Sequence, residues 1–149
     1  MKLIIVSDSH KNQDFLPFLD KHHKHKIICL GDYCINDNEL EKRNVIYVNG
    51  NCDKENDKIY STYEYKDYKL FITHGHYYNA KYSLQALYYK TLEQSCNICL
   101  FGHTHNQTFI KENDIIFINP GSFNNDEYAI IEDNTITFYS GKQTKKFTI

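Results

Sequence analysis

No apolar run in this 149-residue chain approaches the roughly 18 residues that a membrane-crossing helix needs. The opening MKLIIVSDSH holds only Leu3 to Val6 before polar residues begin, too few for the core of a signal peptide. Charge of one sign is also scarce. A formal net charge of −2 argues against a nucleic-acid or membrane surface. The longest basic run, Lys21 to Lys26, is half histidine and reads as the solvated end of a helix rather than a metal tract. Low-complexity segments, repeats and linkers are missing. No second CxxC accompanies Cys96 and Cys99, so that pair reads as core packing instead of half a zinc site. The five cysteines are odd in number and mostly flank apolar runs, as reduced thiols do. These absences leave a single cytoplasmic domain, residues 1–149, as the expectation. A hydrophobic content of 41% is enough for a globular core.

What is present alternates. Lys2 to Val6, Ile27 to Leu30 and Val45 to Val48 are short continuous apolar runs, the pattern of buried parallel strands. Asp14 to about His23 has helical spacing, with Pro17 in an early turn. This alternation predicts an α/β layered fold. Further on, Ile59 to Tyr65 and Lys69 to Thr73 read as a hairpin around Lys66-Asp67. Tyr82 to Glu93 reads as a helix and Ile98 to Phe101 as a buried strand. Gln107 to Ile110, Ile115 to Ile118, Tyr128 to Glu132 and Thr135 to Tyr139 all read as strands.

Five apolar runs end in the same punctuation: Asp8-x-His10, Gly31-Asp32, Gly50-Asn51, His74-Gly75-His76 and Gly102-His103-Thr104-His105. In open α/β sheets, sites form where carboxyl ends of strands converge. On an extended segment, side chains at i and i+2 point the same way, so Asp8 with His10, and His103 with His105, are expected to reach one ion from strand-like backbone. Asp8, His10, Asp32, Asn51, His74, His103 and His105 are the candidate metal ligands. That is more than one four-coordinate ion needs, and it suits two ions sharing a carboxylate. Oxygen and nitrogen donors without thiolate suit manganese, iron, nickel, cobalt or zinc.

The motifs SDSH, GDYC, GNCD, THGH and GHTH, in this order, resemble the calcineurin-like metallophosphoesterases, and most closely the small YfcE-type phosphodiesterases. Asn119-Pro120-Gly121-Ser122 is also typical of that branch. The resemblance spans residues 6 to 122. It implies a four-layer α-β-β-α sandwich of two mixed sheets flanked by helices. It implies two divalent cations, manganese first, with nickel, zinc, iron or cobalt also compatible. Asp8, His10 and His105 would hold one cation, Asn51, His74 and His103 the other, and Asp32 both. The implied reaction is hydrolysis of a small phosphodiester by a hydroxide bridging the cations, with Asp32, Asn51 and His76 as the catalytic set. A phosphomonoesterase is the alternative, as is a non-catalytic scaffold like the retromer subunit of the same fold.

Three departures stand out. Lys11 follows the first motif where glycine is frequent. Cys34 and Ile35 follow Gly31-Asp32 where larger members carry other polar residues. Cys52 replaces a histidine thought to assist the leaving group, so His76 and Asp53 become the candidate proton donors. Cys52 itself is expected to be a packed small side chain. Tyr33, Tyr77 and Tyr78 are expected to line the substrate pocket, and the many tyrosines could supply a homo-oligomer interface.

Overall fold

Strand β1 (Leu3–Val6) is buried at every residue, because both of its faces are covered. It lies in register beside β2 (Lys26–Cys29) in parallel, Leu3 opposite Lys26, and antiparallel to β9 (Glu127–Glu132). The computed structural model describes residues 1–55 and 57–149. The first sheet runs β11-β10-β9-β1-β2-β3, with β3 at Ile46–Tyr47, β10 at Thr135–Ser140 and β11 at Gln143–Thr148. The second runs β4-β5-β6-β8-β7. Its strands are β4 (Tyr60–Tyr65), β5 (Tyr68–Thr73), β6 (Ile98–Leu100), β7 (Thr108–Glu112) and β8 (Ile115–Asn119). Both sheets mix parallel and antiparallel pairs.

Alternation of side chains sorts the core into three layers. Leu3, Ile5, Ile28 and Leu30 meet Leu70, Ile72, Ile98 and Leu100 between the sheets. The opposite faces of the same strands point outward. Ile4, Val6 and Ile27 pack on Phe15 and Leu19 of α1 (Phe15–Lys21) and Leu40 of α2 (Asp37–Glu41). Phe71, Cys99 and Phe117 pack on Leu87 of α3 (Gln85–Glu93). Each fully buried Leu, Ile or Phe contributes about 1.5–3 kcal/mol. The result is the four-layer α-β-β-α sandwich that the resemblance implies. No helix among the described residues is long and apolar enough to cross a membrane.

Two elements escape the apolar pattern. Helix α2 is a five-residue turn started by the Asn36 side chain, which accepts the Asn38 N–H. Strand β11 is exposed at all six residues and lacks alternation; it exists because β10 offers it a full ladder. Its Lys145 and Lys146 blunt the sheet edge.

Candidate metal centre

The parallel order of β1, β2 and β3, and of β5, β6 and β8, brings their carboxyl ends to one side. Beyond the ladders the loops keep pairing. Asp8, His10 and Lys11 donate their N–H groups to Gly31, Asp32 and Tyr33 oxygens at 3.0, 2.9 and 3.1 Å. The backbone there is not extended, as the i, i+2 argument requires. Asp8, His10, Asp32, His103 and His105 have φ of 57°, 44°, 54°, 67° and 63°, all left-handed. The two-residue spacing works because the turn residues share this conformation. For a side chain with a Cβ it costs about 1–3 kcal/mol, and it persists only where surrounding bonds over-determine it. Here Phe123 N–H and the Ser122 hydroxyl donate to the Ser7 and Asp8 carbonyls at 2.7 and 2.9 Å.

Glycine is required where loops touch. A Cβ on Gly50 would stand 2.1 Å from Asp32 Oδ1, and one on Gly102 would stand 2.1 Å from the Ser7 hydroxyl.

Asp8 is fully buried. Its Oδ2 accepts from the Ser7 hydroxyl at 2.5 Å and the His103 N–H at 3.2 Å. Its Oδ1 has no hydrogen-bond partner and faces Nε2 of His105, His10 and His74 at 3.1, 3.8 and 3.9 Å. Asp32 repeats the division. Oδ1 accepts the Cys52 N–H at 2.9 Å, while Oδ2 faces Nε2 of His74 at 3.3 Å and of His10 at 3.8 Å. Nδ1 of His74 lies 2.7 Å from the Leu30 carbonyl. A carbonyl only accepts, so Nδ1 carries a proton and Nε2 is the nitrogen that faces the carboxylates.

Without a cation, the charges lean on each other. Burial is the largest influence on both Asp32 and His74, opposing ionisation in each. The His74 contact nevertheless holds the Asp32 carboxyl well below the usual range, and Asp32 and Asp8 together raise His74. Burial, His74 and Lys81 push His103 down to about 4, leaving a neutral ring that can ligate. Among the described residues, buried Asp8 Oδ1, His10 Nε2 and His74 Nε2 lack hydrogen-bond partners and converge. Divalent cations would satisfy all three, so the residues present fit them. Asp8, His10 and His105 form one group with ligand atoms within 4.8 Å of one another, as do Asp8, Asp32 and His74.

Residues 1–136 match the family model described as the calcineurin-like phosphoesterase superfamily domain. The chain belongs to that superfamily. This phosphoesterase is 30% identical to the probable metallophosphoesterase YsnB of Bacillus subtilis, over 93% of this chain and 90% of YsnB. It is 28% identical to the phosphodiesterase MJ0936 of Methanocaldococcus jannaschii, over 81% and 83%. Among solved structures, a Streptococcus pneumoniae protein described as a predicted phosphoesterase superposes with a TM-score of 0.84 at 25% identity, covering 99% of this chain and 97% of the other. Zinc-bound Vps29 of Entamoeba histolytica superposes with a TM-score of 0.79 at 21% identity, covering 100% and 98%, a likeness of fold. Family membership classes the chain with the metal-dependent phosphoesterases.

Not every expected residue of this phosphoesterase stands with the carboxylates. The His103 ring lies edge-on to His74 at 5.1 Å between centroids. His76 is 5.3 Å from His74, with a buried Nδ1 that has no partner. Asn51 is exposed, and its amide nitrogen faces the Cys52 sulfur at 3.7 Å. Cys52 is exposed, not packed, and joins His10 and Asp32 in a third group of potential ligand atoms within 4.8 Å. Tyr33 is fully buried, donating to Asp37 at 2.5 Å and accepting from Asn49 at 2.7 Å, so it is core rather than pocket lining. Asp53 takes three backbone N–H bonds, which engage both of its oxygens as acceptors, while burial raises its carboxyl. Ser7, Asn119 and Ser122 are the supports that sequence reasoning passed over, although Ser7 lies in SDSH and the other two in NPGS.

Proposed function

We propose that the chain is a dinuclear metal phosphodiesterase, one domain over residues 1–149, that hydrolyses a small phosphodiester. The observation that carries this is the convergence of Asp8 Oδ1, His10 Nε2 and His74 Nε2, buried and without hydrogen-bond partners. Asp8, His10 and His105 would hold one cation, and His74, His103 and Asn51 the other, with Asp32 facing both. A rotation of the exposed Asn51 side chain would turn its oxygen inward. Oxygen and nitrogen donors suit manganese, nickel, zinc, iron and cobalt alike, and the family resemblance puts manganese first. Bound there, two cations would supply an activated water and offset the phosphoryl charge.

The chain's own groups do the rest. The Ser7 hydroxyl and the Cys52 N–H orient the two carboxylates. His76, lowered by burial and by His74, would donate an N–H to a phosphoryl oxygen. With cysteine at position 52, the site suits esters with good leaving groups. The name of MJ0936 supports the diester. The five free cysteines fit a reducing cytoplasm.

The test is turnover of bis-p-nitrophenyl phosphate and p-nitrophenyl phosphate by metal-stripped protein reloaded with Mn²⁺, beside Asp32→Ala. Diester cleavage that needs metal and is lost in the variant is expected. Cleavage of the monoester alone would mean a phosphatase. Metal binding without turnover by any of Mn²⁺, Ni²⁺, Co²⁺ or Zn²⁺ would favour a scaffold.

A further inference from the structure

Beside the metal centre the surface forms a recess of about 400 Å³, lined by Lys11, Cys34, Ile35, Asn36, Cys52 and Lys54. Two of its walls belong to the centre itself. Cys34 Sγ lies 3.9 Å from His10 Nδ1, and the Cys52 N–H donates to Asp32 Oδ1. A substrate whose phosphorus sits at the carboxylates therefore has this recess adjoining it.

The recess is cationic, in a chain whose net charge is −2. Among the other lysines, Lys2, Lys42, Lys66 and Lys90 pair with Glu132, Glu39, Asp133 and Glu93. Lys11 and Lys54 make no ion pair or side-chain hydrogen bond among the described residues. Asp53 approaches from beneath, but its two oxygens are committed to three N–H groups. Lys11 is held by its left-handed backbone, φ 62°, and its N–H bond to the Tyr33 carbonyl. Asn36 spends its side-chain oxygen on the start of α2, which leaves its amide N–H groups as donors. The two lysines thus offer positive charge and the Asn36 amide offers N–H groups, the Cys34 thiol donates to the Cys52 carbonyl, and Ile35 adds apolar surface.

We propose that this recess is a subsite for a second phosphate on the substrate, so that the preferred substrates are phosphodiesters bearing an additional phosphate monoester. This rests on the phosphodiesterase reading. The volume exceeds that of a bare phosphate and suits one carried on a sugar-sized spacer, whose carbon face would lie on Ile35.

The matched pair that isolates the second phosphate is the p-nitrophenyl ester of thymidine 5′-phosphate with and without a 3′-phosphate. The Mn²⁺-loaded protein is expected to favour the 3′-phosphorylated ester in kcat/KM by about tenfold, through KM, since two partly exposed ion pairs are at stake. Lys11→Ala/Lys54→Ala should bring that ratio to near one. Lys145→Ala/Lys146→Ala, the same charge removed from β11, should leave it standing. A ratio near one in the native protein, or a ratio that survives the Lys11/Lys54 change, overturns the subsite. Calorimetry with thymidine 3′,5′-bisphosphate and thymidine 5′-phosphate reads the subsite without turnover. If no ester is cleaved and the bisphosphate still binds more tightly through Lys11 and Lys54, the subsite stands and the phosphodiesterase reading falls.

Discussion

Asp53 Oδ2 accepts the backbone N–H of Asp32 at 2.8 Å, tying the loop after β3 to the loop after β2. The same oxygen accepts from Gly50 at 2.7 Å, and Oδ1 accepts from Cys34 at 2.8 Å. A side chain that the sequence offers as a proton donor is instead the staple that positions a proposed metal ligand. Asp53→Asn is expected to lower stability by about 2–3 kcal/mol, because one amide oxygen cannot replace a carboxylate bonding three donors. For a chain of this size that is about 4–12 °C in Tm, readable by calorimetry. Unchanged melting with lost kcat would return Asp53 to the role of acid.

Gly50→Ala addresses the close approach of the same loops. The new Cβ would meet Asp32 Oδ1 at 2.1 Å and the Asp32 nitrogen at 2.5 Å, so the carboxylate has to move. Loss of the Mn²⁺-induced rise in melting temperature is expected. A native-like rise would show that the loops give way freely.

Asn119 reaches across to the last motif. Its amide donates to the Gly102 carbonyl and Thr104 hydroxyl, both at 3.0 Å, and its oxygen accepts the Gly121 N–H at 2.9 Å. Asn119→Ala should loosen the turn that carries His103 and His105. Metal affinity is expected to fall by about 10–100-fold, the usual effect of losing support behind ligands. Titration with Mn²⁺ monitored by calorimetry measures it, and an affinity within twofold of native would refute it.

The thiols give a pH-linked check. Burial pushes Cys99 up to about 12 and Cys29 higher still, so both stay protonated and shielded at pH 8. Cys52 is exposed. Ellman's reagent at pH 8 should find one fast thiol, absent in Cys52→Ser, with Cys29 and Cys99 reacting only on unfolding. Fast reaction of Cys99 in the native protein would contradict its place under α3.

Much of this was legible in the chain. Lys2 to Val6, Ile27 to Leu30 and Ile98 to Phe101 announce buried strands by continuous apolarity, and each emerges with its boundaries moved by a residue at most. The edges were harder. Strand β11 has no apolar signal because all six of its residues are exposed, and β3 shrinks to the edge pair Ile46–Tyr47 because its ladder partner β2 ends at Cys29. Tyr82 to Leu84 drop out of α3, whose apolar spacing is weakened by tyrosines.

By itself the sequence determined the layered α/β class, the strand ends and the chemical types of the candidate ligands. These follow from local patterns: burial writes apolar runs, and metal chemistry narrows the choice of side chain. The tertiary structure alone decided how the ligands meet. Left-handed turns, not extended strands, aim Asp8 and His10, because the 31–33 loop pairs with them. Only packing sent Tyr33 into the core, turned Asp53 to three backbone amides and left Lys11 and Lys54 facing one recess. Those outcomes depend on which distant loops touch, and no spacing along the chain encodes that.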